Sequence, residues 1–271
     1  MSLPTMEQHL PALYAFAHQL ARDFTAGRWH SAAEITEAIK LFYTPTLMAE
    51  IERVVPGWGK MASYADGQTL YHVTTVLTTL FTLDEYKRLR TDQRVILQWM
   101  VLFHDVAKEA KRGTHDLVHG FRSAAIAGRA LAQIGFPATL WYNALIETWF
   151  ALTDTATTAH EKYHLIQDNR KLPTILMGID QLYGVYAPAG MIIRGVLFHV
   201  SIATDPDYPT AAPLSDQEAD QFISRALFPL LRLLMLADVE SWFLFDPAGR
   251  SLQRQYVVGA FERIGTRFGV R

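Results

Sequence analysis

Two carboxylates stand where apolar helix faces should continue. Asp105 follows the run Val95 to His104, which is apolar nearly all round, and an ionised carboxylate there is costly unless a partner or a metal compensates. On a helix, His104 and Asp105 lie about 100° apart and grip one ion only at the edge between them. Lys108, one turn on, shares that edge. Asp238 interrupts the stripe Leu227, Leu231, Leu234, Asp238, Trp242, and His72 is embedded among Leu70, Val73, Val76 and Leu77. The chain has ten histidines and no cysteine. Any bound metal is therefore held by nitrogen and oxygen, and two imidazoles with two carboxylates suit a divalent cation.

The elements that must position these residues are helical. Apolar periodicity predicts helices over 6–24, 31–42, 45–54, 69–82, 92–110, 116–134, 138–151, 173–184, 217–245 and 250–267. Ser31 with Glu34 has the spacing of a capping box. Pro56 to Gly59 and Ala65 to Gly67 break the chain, and Gly135-Phe136-Pro137 stops the 116–134 helix. The β-branched stretch 190–202 reads as either strand or helix, and 203–215 as a loop. No strand–helix alternation and no repeat are evident, so the expected class is all-α.

The set resembles the HD-domain metal-dependent phosphohydrolase superfamily. The matching residues are His72, the His104-Asp105 doublet with Lys108 in H-D-x-x-K form, His119 in the following helix, and Asp238 in Leu236-Ala237-Asp238. Gly67 to His72 also looks like the entry to the HD domain of tRNA-nucleotidyltransferase-like proteins, here without a nucleotidyltransferase domain. The resemblance is close over 66–134 and looser out to 238. It implies one all-α domain over 1–271: an N-terminal helical extension (1–60), an HD-type helical bundle (61–245) and a C-terminal helix (246–271).

As implied by the resemblance, His72, His104, Asp105 and Asp238 are the metal ligands, with Asp180 the second choice for the last. Asp105, Lys108 and His119 would carry catalysis, and Lys108, Arg122 and His115 would contact substrate, with Lys111 and Arg112 adding positive potential nearby. The reaction would be hydrolysis of a phosphomonoester or phosphodiester of a nucleotide by metal-activated water. Family members with a second metal often carry a further histidine in a Leu-Ile-x-x-His stretch; here Leu145 to Phe150 has none. One divalent ion, Mn, Mg, Fe, Ni or Zn, is therefore expected. His9, His18, His30, His160, His164 and His199 read as incidental. The competing reading is a non-catalytic HD module that binds a nucleotide or metal as a sensor or scaffold.

Composition narrows the partners. With 25 Lys+Arg against 27 Asp+Glu the net charge is −2, which supplies no general basic field for nucleic acid, although a local groove stays open. No targeting signal and no membrane-length apolar run is evident. The expectation is a cytoplasmic protein acting on a small phosphoester.

Overall fold

The computed structural model describes residues 2–63, 67–109, 116, 118–139, 157–160, 164–205 and 213–266. The fold class is the all-α one expected. In chain order the helices are α1 (Met6–His9), α2 (Pro11–Thr25), α3 (Ala32–Phe42), α4 (Pro45–Val54), α5 (Trp58–Ser63), α6 (Gln68–Thr82), α7 (Asp84–Lys87), α8 (Thr91–Phe103) and α9 (His119–Ile134). A short antiparallel hairpin of β1 (Thr157–His160) and β2 (His164–Gln167) follows. Then come α10 (Leu172–Tyr183), α11 (Pro188–Phe198), α12 (Asp216–Phe222), α13 (Phe228–Ser241) and α14 (Pro247–Gly265). No described helix is long and apolar enough to cross a membrane.

Prolines set many of the boundaries. Pro11, Pro45, Pro173, Pro188, Pro229 and Pro247 each occupy the first or second helical position, where a missing N–H leaves no bond unmade. Two expected helices are split for this reason. The 6–24 helix divides at Leu10 before Pro11, and the 217–245 helix becomes α12 and α13 with Pro229 near the new start. The 92–110 helix ends early, at Phe103, and the 116–134 helix begins later, at His119. The ambiguous 190–202 stretch is helical through Phe198. The break at 56–59 contains the start of α5, and the hairpin was not anticipated. The expected 138–151 helix lies outside the described residues, apart from its first two.

The capping at α3 is half of the expected box. Ser31 Oγ accepts from Glu34 N at 3.3 Å, but the Glu34 carboxylate takes the N–H of His30, one residue earlier than a box requires.

A core of α6, α8, α11 and α13 carries the site. Val95 through Phe103 of α8 are all buried. α11 packs on α8 and α9, α13 packs on α6 and α14, and α2 covers α6. Two glycines permit the closest approaches. A Cβ at Gly195 would lie 2.6 Å from Met100 Sδ, and one at Gly120 would lie 2.9 Å from Val200 Cγ2 and 3.1 Å from the Leu197 carbonyl oxygen. α13 is held in place from the other side by Glu240, which is fully buried and accepts from the guanidinium groups of Arg250 and Arg254 on α14. Arg254 also reaches Glu85 at 2.6 Å. Removing one member of such a network would strand a buried charge.

Candidate metal centre

The α8 helix ends in a way that aims its last side chains. Residues 104–107 leave the helix as turns, and the carbonyl of Val101, no longer needed within the helix, lies 2.6 Å from His104 Nδ1. A carbonyl oxygen cannot donate, so Nδ1 carries the proton and Nε2 presents a lone pair. That Nε2 is buried and has no hydrogen-bond partner among the described residues. The turn itself is pinned from two sides. Ala107 N donates to Ser123 Oγ at 3.1 Å. Gly57, at φ 99°, lies so close that a Cβ there would sit 2.8 Å from the Val106 carbonyl oxygen.

The same device recurs at two other helix ends. At the end of α11, His199 Nδ1 lies 2.6 Å from the Val196 carbonyl oxygen. At the start of α9, His119 Nδ1 donates to the carbonyl of Asp116. His72 sits within α6 and uses a side chain instead. Ser241 Oγ donates to the Asp238 carbonyl at 2.6 Å, which leaves a lone pair to accept from His72 Nδ1 at 3.2 Å. In all four rings Nδ1 is thus engaged and Nε2 is the atom turned toward Asp105, the arrangement by which outer partners orient metal-ligating histidines.

These four Nε2 atoms converge on Asp105. Its Oδ1 lies 2.7 Å from His119 Nε2 and 3.6 Å from His199 Nε2. Its Oδ2 lies 3.8 Å from both His72 Nε2 and His104 Nε2. His72 Nε2 is in turn 2.8 Å from Asp238 Oδ1, and the Nε2 atoms of His119 and His199 are 2.9 Å apart. Two groups thus have the makings of an ion site among the described residues: His72, His104 and Asp238 on one side, and Asp105, His119 and His199 on the other.

Lone pairs at these separations repel unless something positive lies between them. A single proton on His119 Nε2 can serve either Asp105 or His199, not both. A cation serves all three, and donors on a tetrahedral ion lie about 3.4 Å apart. The partnerless Nε2 of His104 makes the same point for the other group. The residues present fit a divalent metal.

Both carboxylates remain ionised. Burial pushes Asp105 up, but the Lys108 ammonium, 2.7 Å from Oδ2, together with His104 and His119 outweighs it and holds the carboxyl well below the usual range. Burial likewise raises Asp238, and the hydrogen bond and charge of His72, with His104 beyond it, bring it below its ordinary value. For His104 burial is the largest influence and lowers the imidazole, against the opposing pull of Asp105 and Asp238.

Of the residues singled out in the sequence, His72, His104, Asp105, Lys108, His119 and Asp238 come together. Asp180 does not: a bidentate ion pair with Arg194, at 2.9 and 3.0 Å, holds it elsewhere. Arg122 is engaged by Asp116, whose carboxylate also accepts from Glu109 N at 2.8 Å. Since Asp116 supplies the carbonyl that orients His119, Arg122 steadies the turn behind that histidine. His115, Lys111, Arg112 and the stretch Leu145 to Phe150 lie outside the described residues, as do the side chains of His160 and His164.

His199, taken as incidental from sequence, is the correction. Buried at the end of α11, it completes with Asp105 and His119 a second group of three that could hold an ion. A signal was present: Val-Leu-Phe-His occurs twice, at 101–104 and 196–199. The two copies end neighbouring buried helices with the same histidine-to-carbonyl bond, and the residues just before them, Met100 and Gly195, pack together. Ser241 was also missed, because its role depends on α13 lying against α6. No family model, no curated protein and no solved structure matches the chain.

Proposed function

We propose that this chain is a metal-dependent phosphohydrolase with two divalent ions, one on each side of Asp105. The carrying observation is the convergence of four imidazoles on one buried carboxylate, each with Nδ1 already committed and, at His104, an Nε2 with no hydrogen-bond partner among the described residues. His72, His104, Asp238 and Asp105 Oδ2 would hold the first ion; Asp105 Oδ1, His119 and His199 would hold the second. Imidazole-rich sets of this kind suit Fe, Ni or Zn better than Mg. When bound, such ions supply an acidified water at neutral pH and a Lewis acid for phosphoryl oxygens.

The chain's own residues supply the remainder. Asp105 spans the two ligand sets and fixes their spacing. Asp238 and Lys108, each with a side chain 24% exposed, border the way in. The Lys108 ammonium, just past the turn that follows α8, can swing from Asp105 to a phosphate oxygen. Burial of the other ligands excludes bulk water and strengthens each charge interaction. The resemblance to HD phosphohydrolases supports phosphoesters as the substrate class.

That same burial is what favours a second reading, a non-catalytic module that holds metal or a nucleotide as a sensor. Metal analysis of the purified protein, with a phosphoester panel under Mn²⁺, Mg²⁺, Ni²⁺, Zn²⁺ and Fe²⁺, separates the two. Turnover that disappears together with bound metal in Asp105→Ala supports the hydrolase. Metal or nucleotide binding without turnover supports the sensor, absence of bound metal overturns the hydrolase, and absence of both metal and nucleotide binding overturns both.

A further inference from the structure

Trp242 ends α13 one residue past Ser241 and one turn past Asp238, so the indole and the Asp238 carboxylate share a helix face. One side of the ring is occupied. It stacks on the His72 imidazole with centroids 4.4 Å apart and planes 18° from parallel. Even so, Trp242 is 54% exposed, whereas the core tryptophans Trp58 and Trp99 are fully buried. A residue needed only to cover His72 would be served by leucine or phenylalanine, with less apolar surface left in water. Trp242 instead leaves about half of its surface in solvent, next to the buried His72 and the part-exposed Asp238.

We propose that Trp242 is the platform for the organic half of the substrate, which therefore carries a planar aromatic ring. This rests on the phosphoester reading: the phosphate lies at the His72, Asp105 and Asp238 end, and the ring lies on the outer face of the indole. Stacking of a flat ring on an indole is favourable and tolerant of ring identity. A nucleobase and a simple aryl group share that chemistry, whereas an aliphatic phosphoester gains nothing from it.

The test uses the full chain loaded with metal, and compares adenosine 5′-monophosphate, phenyl phosphate and glycerol 3-phosphate for binding and hydrolysis. Trp242→Ala and Trp242→Phe are compared with wild type, and metal content is measured in each to show that His72 remains seated. The wild type should prefer the aromatic esters, and Trp242→Ala should cut the aromatic-to-aliphatic affinity ratio by about tenfold or more, with Trp242→Phe intermediate. Adenosine monophosphate should quench indole fluorescence in wild type and not in Trp242→Phe. A ratio unchanged by either variant overturns the platform, as does a wild type without aromatic preference. Aromatic binding and quenching without hydrolysis would keep the platform and overturn the hydrolase reading. Hydrolysis of all three esters alike would do the reverse, and binding of none would overturn both. Preference for adenosine monophosphate over phenyl phosphate identifies the ring as a nucleobase.

Discussion

Replacing His199 with Ala tests the two-set geometry directly. The variant removes one of the three donors on the Oδ1 side of Asp105 and leaves His72, His104 and Asp238 on the Oδ2 side intact. Metal held only by the folded state stabilises it by RT ln(1 + [M]/Kd), about 2.7 kcal/mol per site at a hundredfold excess over Kd. Two independent sites then give about 5.4 kcal/mol. At roughly 2–4 °C per kcal/mol for chains of this size, that is a rise in Tm of about 10–20 °C over the chelated protein. His199→Ala should show half that rise and one bound ion instead of two. His104→Ala should likewise keep one ion, and Asp105→Ala should keep none, because each of its oxygens serves a different set. The chelated His199→Ala protein should also lose less stability than the ~2–4 kcal/mol usual for truncating a buried side chain, since it relieves the 2.9 Å approach of His119 and His199. The assay is thermal melting with chelator and with metal, alongside elemental analysis of each variant. A His199→Ala protein that keeps two ions and the full rise refutes the assignment of His199 as a ligand.

Three further outcomes are expected. Lys108→Met frees Asp105 Oδ2 from its ammonium, so calorimetry should show metal affinity increased about fivefold, the worth of a partly exposed ion pair of ~1 kcal/mol, while inorganic phosphate binds the loaded protein more weakly. Gly120→Ala drives a Cβ against Val200 and the Leu197 carbonyl. It should cost about 1–3 kcal/mol in urea unfolding and lower the affinity of the His119–His199 set. His18 is lowered first by burial and then by Arg22, its Nε2 lacks a partner among the described residues, and its ring stacks on Phe81 at 3.8 Å. A histidine whose folded pKa is depressed contributes stability above its unfolded value near 6.5 and loses it as pH falls through the folded value. The chelated wild type should therefore weaken between pH 7 and pH 5 more than His18→Phe does, and equal slopes would discount the role of His18.

The helices were legible because most of them announce both a stripe and a stop. Their boundaries slipped where a proline was read through: Pro11 and Pro229 sit inside stretches whose apolar periodicity continues past them, and periodicity alone cannot see a missing N–H. The early end of α8 was hidden differently. Val95 to Ala107 reads as unbroken helix, and only the loss of the next turn releases the Val101 carbonyl that fixes His104.

The site was half legible for a related reason. His72, His104, Asp105 and Asp238 stand out because a titratable group in an apolar helical stretch is an anomaly that one element displays by itself, whereas His119 was reached through the resemblance. His199 is no such anomaly. It follows Phe198 at the end of an apolar helix, a position where a histidine is welcome simply because the terminal carbonyls are free and the C-terminal dipole favours it. What brings it to Asp105 is the approach of α11 to α8 and α9, permitted by Gly195 and Gly120, and no single element carries that information. The repeated Val-Leu-Phe-His was the one trace of it in the sequence. Its meaning lies in the paired function of the motif: the aliphatic residues bury the helix end, and the carbonyl of the valine then turns the histidine so that Nε2 faces inward. Two such ends packed side by side aim two imidazoles at the same carboxylate, and so two of the four imidazoles at Asp105 are positioned by the termination of helices and a third, His119, by the start of one.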